Sequence, residues 1–276
     1  MARKKTSTPG YETLAVALQH GVAVVTLNRP DLHNAFNETL IAELTELLNV
    51  LDTDDDVRVV VLAGNGKSFC AGADLNWMKK MAGYGPAENL ADAQALALML
   101  RTLNGLSKPT VARVQGAAYG GGVGLTACCD IAIAAIEASF ALSEAKLGLI
   151  PATISPYVIE AIGARAARRY FLTGERFDAA EAYRIGLVHD IVPIAELDDR
   201  VNEVLGKLLL AGPRAQMECK ALIRGVAHRP IDAAVIGGTA EHIAAVRASP
   251  EGKEGVAAFL DKRAASWVPP ALLKKS

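Results

Sequence analysis

Val57-Arg-Val-Val-Val-Leu-Ala63 runs directly into Gly64-Asn-Gly-Lys-Ser-Phe-Cys-Ala-Gly-Ala-Asp74, and the reading of this stretch decides the fold. The valine-rich run predicts a buried strand, and the glycines after it predict a loop. The same design then returns. Thr110-Val-Ala-Arg-Val114 reads as a strand, Gly116 to Gly124 as a loop with five glycines, Val123 to Cys129 as a short helix, and Ile131-Ala-Ile-Ala-Ala-Ile136 as a further strand.

Upstream, Val22-Ala-Val-Val-Thr-Leu27 predicts a buried strand closed by the turn Asn28-Arg29-Pro30. A helix follows, capped by Asn37 or Asn34, with Leu40, Ile41, Leu44, Leu47, Leu48 and Leu51 at helical spacing until the acidic turn Asp52 to Asp56. Residues Ala87 to Leu106 also read as a helix, bounded by Pro109. Successive strand, strand and helix units predict an α/β core of stacked sheets with helices outside; periodicity alone leaves an open sheet and a spiral as alternatives. From about Ala195 the strand pattern stops. Residues 196–211, 213–227, 232–248 and 250–266 read as helices, with Pro213 and Pro250 at first-turn positions. The chain is therefore expected to comprise a disordered tail at 1–11, an α/β core at 12–195 and a helical C-terminal domain at 196–276.

Composition narrows the function classes. The 276 residues are 51% hydrophobic and 21% charged, so the chain can bury a large core without a metal or disulfide staple. Its 29 basic and 30 acidic residues give a net charge of −1, which argues against a surface built to track nucleic acid. Cys70, Cys128, Cys129 and Cys219 show no CxxC spacing, so reduced thiols and no metal site are expected. The basic start is followed by no apolar run, and Leu125 to Ile136 is interrupted by Asp130 and too short for the roughly 20 residues of a membrane span. A cytoplasmic protein without membrane association is expected.

Two chemical readings compete for the glycines. Gly122-Val-Gly-Leu-Thr-Ala127 matches a GxGxxA dinucleotide fingerprint with Glu137 as ribose acid, but the motif lies mid-chain and Glu137 comes too soon after it. Glycines that merely permit tight turns would explain the loop equally well. In the sharper reading, backbone N–H groups of Ala71 and Gly121 converge on one oxygen as it gains negative charge, assisted by the helix N-terminus near Gly122. Glu144, in Phe140-Ala-Leu-Ser-Glu-Ala-Lys-Leu-Gly148, is then the candidate acid/base. Taken alone, Glu144 also fits an ordinary helix-start carboxylate near Lys146.

Gly66-Lys-Ser-Phe-Cys-Ala-Gly-Ala-Asp-Leu75, Gln115-Gly-Ala-Ala-Tyr-Gly-Gly-Gly-Val-Gly-Leu125 and Cys129-Asp-Ile131 resemble the crotonase, or enoyl-CoA hydratase/isomerase, family. Leu27-Asn-Arg-Pro30, Asn34-Ala-Phe36, Leu147-Gly-Leu-Ile-Pro151 and Leu172-Thr-Gly174 follow in family order, as do Ala179-Ala-Glu-Ala182 and Gly186-Leu-Val188. The resemblance implies a spiral of ββα units followed by a C-terminal helical trimerisation domain, assembled as a homotrimer or hexamer (a dimer of trimers). It implies an acyl-CoA thioester as substrate, with no separate cofactor. Ala71 and Gly121 would donate N–H groups to the thioester carbonyl, and Glu144 would match a catalytic glutamate. Ala71, Gly72, Ala73 and Asp74 would line the adenine and pantetheine path, with His33 and Asn34 in the turn nearby. Lys262 or Arg263 would meet a CoA phosphate, unless these are only solvated helix charges.

Two departures qualify the resemblance. Hydratases with two glutamates carry the second in the helix after the triple glycine, where this chain has Gly124, and the family's glycine-rich segment after the catalytic loop here reads Pro151-Ala-Thr-Ile-Ser-Pro-Tyr157. Ser155 and Tyr157 would shape a polar acyl pocket or serve as structural hydroxyls. Ser143-Glu144, this altered segment and Ala166-Ala-Arg-Arg-Tyr-Phe-Leu-Thr173 are similar to bacterial methylglutaconyl-CoA and isohexenylglutaconyl-CoA hydratases. The expectation is an enoyl-CoA hydratase acting on methylglutaconyl-CoA or a related branched or carboxylated substrate. A Δ3,Δ2-enoyl-CoA isomerase with a single glutamate is the close alternative. A nicotinamide oxidoreductase and a non-catalytic acyl-CoA or RNA-binding protein are distant ones.

Overall fold

Alternating burial on a β-branched run builds the first hairpin: β1 (Leu14–Gln19) pairs antiparallel with β2 (Val22–Leu27) through His20 and Gly21, both at positive φ. The computed structural model describes residues 10–273; the expected tail at 1–11 lies outside them except for Gly10 and Tyr11, and Tyr11 packs against the core. In α1 (Glu38–Thr53), Asn37 is the cap, its Oδ1 accepting from Leu40 N at 2.9 Å, and all six apolar positions read from the sequence are buried.

Next come β3 (Val59–Gly64), β4 (Ser68–Cys70), α2 (Leu75–Met81) and α3 (Pro86–Gly105). A second turn of the same kind has β5 (Thr110–Val114), β6 (Ala117–Tyr119) and α4 (Gly121–Cys128). A third has β7 (Ile131–Ala135), β8 (Ser139–Ala141) and α5 (Ser155–Thr173), and β9 (Arg176–Asp178), α6 (Ala179–Arg184) and β10 (Asp190–Val192) complete it. One sheet runs β1-β2-β3-β5-β7-β10, parallel from β2 onward, and the other runs β4-β6-β8-β9, parallel up to β8. Each turn thus gives its first strand to one sheet and its second to the other, which is the spiral of ββα units.

Asp130, the residue that interrupts the apolar run, has a specific task. Its Oδ2 accepts from Thr110 N at 2.7 Å and Thr110 Oγ1 at 2.8 Å, while its own N–H donates to Thr110 Oγ1 at 2.8 Å. This reciprocal pair sets the start of β5 beside the start of β7, where Val111 faces Ile131. Gly116 to Gly124, read as a loop, instead contains β6 and the start of α4, because a three-residue strand is too short to show a period. Within α5 the backbone breaks at Gly163, at φ 72° and ψ 156°.

Two compact units divide the chain. One takes the residues up to Leu106 and Thr110–Val201, and the other takes Ser107–Pro109 and the chain from Asn202. The second is helical: the end of α7 (Leu197–Leu210), then α8 (Pro213–Val226), α9 (Ala233–Ala248) and α10 (Pro250–Leu260). Pro213 and Pro250 occupy first turns, and Asp232 and Ser249 cap α9 and α10. The expected helix 250–266 stops at Leu260, since Lys262 adopts a left-handed φ of 54°. Inside this unit Trp267 Nε1 donates to Leu210 O at 3.1 Å, and buried Lys220 Nζ donates to Lys108 O at 2.9 Å. Among the described residues no helix is long and apolar enough to cross a membrane, and no group of three or more His, Cys, Asp or Glu could hold a metal ion.

Candidate active site

The first glycine loop is held by a turn that bends back on it. His33 and Asn34 both take left-handed φ values, 52° and 55°, and Asn34 is fully buried. Its Nδ2 donates to Asn65 O at 2.9 Å and Ser68 O at 2.8 Å, and its Oδ1 accepts from Arg29 N at 2.9 Å. Asparagine suits this position because it tolerates the left-handed region and carries both a donor and an acceptor. His33 is exposed, with Nδ1 3.0 Å from Ser68 Oγ.

The same turn corrects the expected donor. Ala71 N–H is consumed by the His33 carbonyl at 3.0 Å, so it is not available to a substrate oxygen. Two residues on, Phe36 N donates to Gly72 O at 2.7 Å and Asp74 N donates to Phe36 O at 2.8 Å, a parallel bridge between Phe36 and Ala73. In such a bridge the residue between the two bonds turns its own N–H to the opposite edge. Ala73 N–H therefore points away from Phe36 and meets no acceptor among the described residues. Which amide is free depends on a long-range pairing, and the spacing of the motif carries no sign of it.

Asp74, buried in the same loop, is occupied. It caps α2, accepting from Asn76 N at 2.7 Å and Trp77 N at 3.2 Å, and it pairs with Arg29 at 2.8 Å. Burial by itself raises its pKa, but the bonds from Trp77, Arg29 and Asn76 outweigh it and hold the carboxyl below its ordinary value. Its carboxylate belongs to the scaffold of the loop.

The second glycine loop meets the first at close range. Gly120 takes φ 50° and ψ −114°, its N–H donating to Ala141 O at 2.8 Å. A Cβ added at Gly120 would lie 3.0 Å from Glu144 Oε1 and 4.0 Å from Gly72 Cα, and one added at Gly72 would lie 3.2 Å from Tyr119 O. Both loops and the Glu144 carboxylate thus converge on one spot. Gly121 N–H, in the first turn of α4, finds no acceptor among the described residues and carries the partial positive charge of a helix N-terminus. A side chain at Gly121 would overlap the Phe36 ring, with Cδ2 at 2.7 Å, and one at Gly122 would overlap Cys70 O. The GxGxxA glycines are therefore consumed by packing inside a helix and do not form a phosphate loop.

Glu144 starts a short 3-10 helix, Glu144–Leu147, and is partly buried. Its Oε2 is buried with no hydrogen-bond partner among the described residues. Burial pushes its carboxyl above the ordinary 4.5, only partly offset by its own backbone N–H. A desolvated carboxylate with one oxygen unpartnered, next to glycine loops that carry two amides without an acceptor among the described residues, suits proton transfer next to a developing oxyanion.

Lys262 is exposed beyond α10, and Arg263 is committed to Glu254 through bonds of 2.7 and 2.8 Å. Gly124 is buried, and Ser155 Oγ turns back to Ala152 O at 2.8 Å. Tyr157 is half-buried, with its phenol pKa raised by burial.

The chain matches the family model described as enoyl-CoA hydratase/isomerase over residues 17–269. It is 32% identical to a crotonyl-CoA hydratase of Syntrophomonas wolfei across 94% of this chain and 98% of that one. With a hydroxycinnamoyl-CoA hydratase-lyase of Pseudomonas fluorescens it shares 34% identity across 74% and 75%. Among solved structures, an enoyl-CoA hydratase from Shewanella pealeana superposes with a TM-score of 0.91 at 46% identity, covering 94% of this chain and 97% of that one. AtuE of Pseudomonas aeruginosa gives 0.89 at 37% identity, covering 93% and 100%.

Proposed function

This chain belongs to the enoyl-CoA hydratase/isomerase family, and from that premise we propose that it adds water across the double bond of an α,β-unsaturated acyl-CoA. The observation that supports the reading is the meeting of Glu144, one oxygen of which has no partner, with Gly120 and Gly72, next to which Gly121 and Ala73 carry amides without an acceptor among the described residues. Glu144 takes a proton from water as the oxygen attacks the β-carbon. The π electrons move onto the thioester oxygen, where Ala73 N–H and Gly121 N–H receive the charge; one such donor is worth about 3 kcal/mol in the transition state. As the enolate collapses, Glu144 returns the proton to the α-carbon and is left ionised. The reaction draws on no separate cofactor.

Methylglutaconyl-CoA or a related branched, carboxylated acyl-CoA is the substrate class that the Ser143-Glu144 pair and the Pro151–Tyr157 segment support. The loop Gly72 to Asp74 with its His33–Asn34 support forms the CoA side of the site, and Lys262 contributed by a neighbouring subunit is a candidate phosphate contact. Assembly as a homotrimer or dimer of trimers is supported by the apolar residues that the helical unit exposes, Phe259 at 82%, Leu260 at 70% and Ile223 at 62%. Light scattering should report a multiple of three chains.

A single carboxylate also suits Δ3,Δ2-enoyl-CoA isomerisation, in which Glu144 carries a proton from the α-carbon to the γ-carbon, and the filled space around Gly124 favours that second reading. Purified protein supplied with crotonyl-, methylglutaconyl- and 3-enoyl-CoA in H2-18O separates the two. Label in the product establishes hydration, whereas a migrated double bond without label overturns it.

A further inference from the structure

Gly124 lies one helical turn beyond Gly120, the residue whose added Cβ would meet Glu144 Oε1, and its N–H donates to Gly120 O at 3.2 Å. The glycine leaves no vacancy. A Cβ built there would overlap Ile154 Cγ2 and would lie 2.9 Å from Ile154 Cβ and 3.5 Å from Leu100 Cδ2. Ile154 is 2% exposed and stands at the N-cap of α5, where its carbonyl accepts from Val158 N at 3.1 Å, so it cannot swing away without disturbing that helix start. The two departures of this sequence, a glycine at 124 and a branched residue within Pro151–Tyr157, therefore meet in space and exchange volume with each other.

We propose that Ile154 is a specificity-determining residue of the site: it fills the place that a second acid on α4 would occupy and closes that wall with an apolar surface. Resting on the hydratase reading, this leaves Glu144 as the carboxylate that both accepts the proton of water and delivers it to the α-carbon. Water and any further acid are kept from the side of the substrate that faces Gly124. A closed apolar wall also removes room from the acyl pocket on that side.

The test uses the full chain and has two arms. In the first, Gly124→Ala should lower the thermal midpoint by about 3 °C or more, as overpacking does. Ile154→Ala combined with Gly124→Ala should recover much of the loss relative to Ile154→Ala alone; additive losses would overturn the contact. In the second, Gly124→Glu with Ile154→Gly should hydrate crotonyl-CoA about tenfold faster than Ile154→Gly alone, because a positioned acid has been restored. The control, Gly124→Gln with Ile154→Gly, fills the same space with no proton to give and should show no gain. Equal rates for the Glu and Gln variants would overturn the proposal. If the wild-type chain adds water to no enoyl-CoA, the hydratase reading falls by itself, and the thermal arm alone decides whether Ile154 closes this wall.

Discussion

Two carboxylates follow second-sheet strands in the first and third turns of the spiral, and they are treated in opposite ways. Asp74, at the end of the first glycine loop, receives two backbone N–H groups and a guanidinium, and its pKa falls despite burial. Glu144, after β8, is desolvated with one oxygen unpartnered, and its pKa rises. Both are acids near the same glycines, yet one holds the backbone in place and the other is left free to move protons. Desolvation with pairing builds structure, and desolvation without it stores reactivity.

The largest expected effect tests the reactive member. Glu144→Gln should cut turnover by about 10²- to 10⁴-fold, the usual worth of a general base, with no loss of thermal stability. Near-normal turnover measured with any accepted enoyl-CoA would remove the contrast. Asp74→Ala should show the reverse pattern: a loss of about 3 kcal/mol in urea unfolding, from a stranded Arg29 and an uncapped α2. Replacing Arg29 as well should recover part of it.

Gly120→Ala presses on the meeting point of the two regions. The added methyl would face Glu144 Oε1 at 3.0 Å from a backbone at φ 50°, so a destabilisation of about 1–3 kcal/mol and a drop in kcat are expected together. The smallest effect is the dependence on pH. Asp74, with a lowered pKa, contributes stability above its ordinary 3.8 that is lost as pH falls through the folded value. Glu144, with a raised pKa, has the opposite sign: its contribution is full below 4.5 and fades as pH rises through the folded value. Glu144→Gln should therefore melt slightly above wild type at neutral pH, and that gap should close on acidification below 4.5.

Much of this arrangement was legible in the sequence, for physical reasons that differ by element. The valine and isoleucine runs of β2, β3, β5 and β7 announce themselves because a parallel strand buried on both faces is apolar throughout. The six buried positions of α1 follow from helical spacing. The second sheet was hidden, since β4, β6, β8 and β9 have three residues each and no period to detect. Within the candidate site, the motifs single out Glu144 and Gly121, and the structure adds that Glu144 Oε2 and Gly121 N–H have no partner among the described residues. Ala73 could not be separated from Ala71, because His33 lies far along the chain and chooses which amide it binds. Ile154 was equally hidden, since only the fold sets it against Gly124.

Phe36 joins these regions in another way. Its backbone is bonded to Gly72 and Asp74 on one side, and its ring edge abuts Gly121 on the other. A phenyl ring cannot be compressed, so it acts as a gauge block: its edge limits how near Gly121 can come to the Gly72–Asp74 segment that the Phe36 backbone holds.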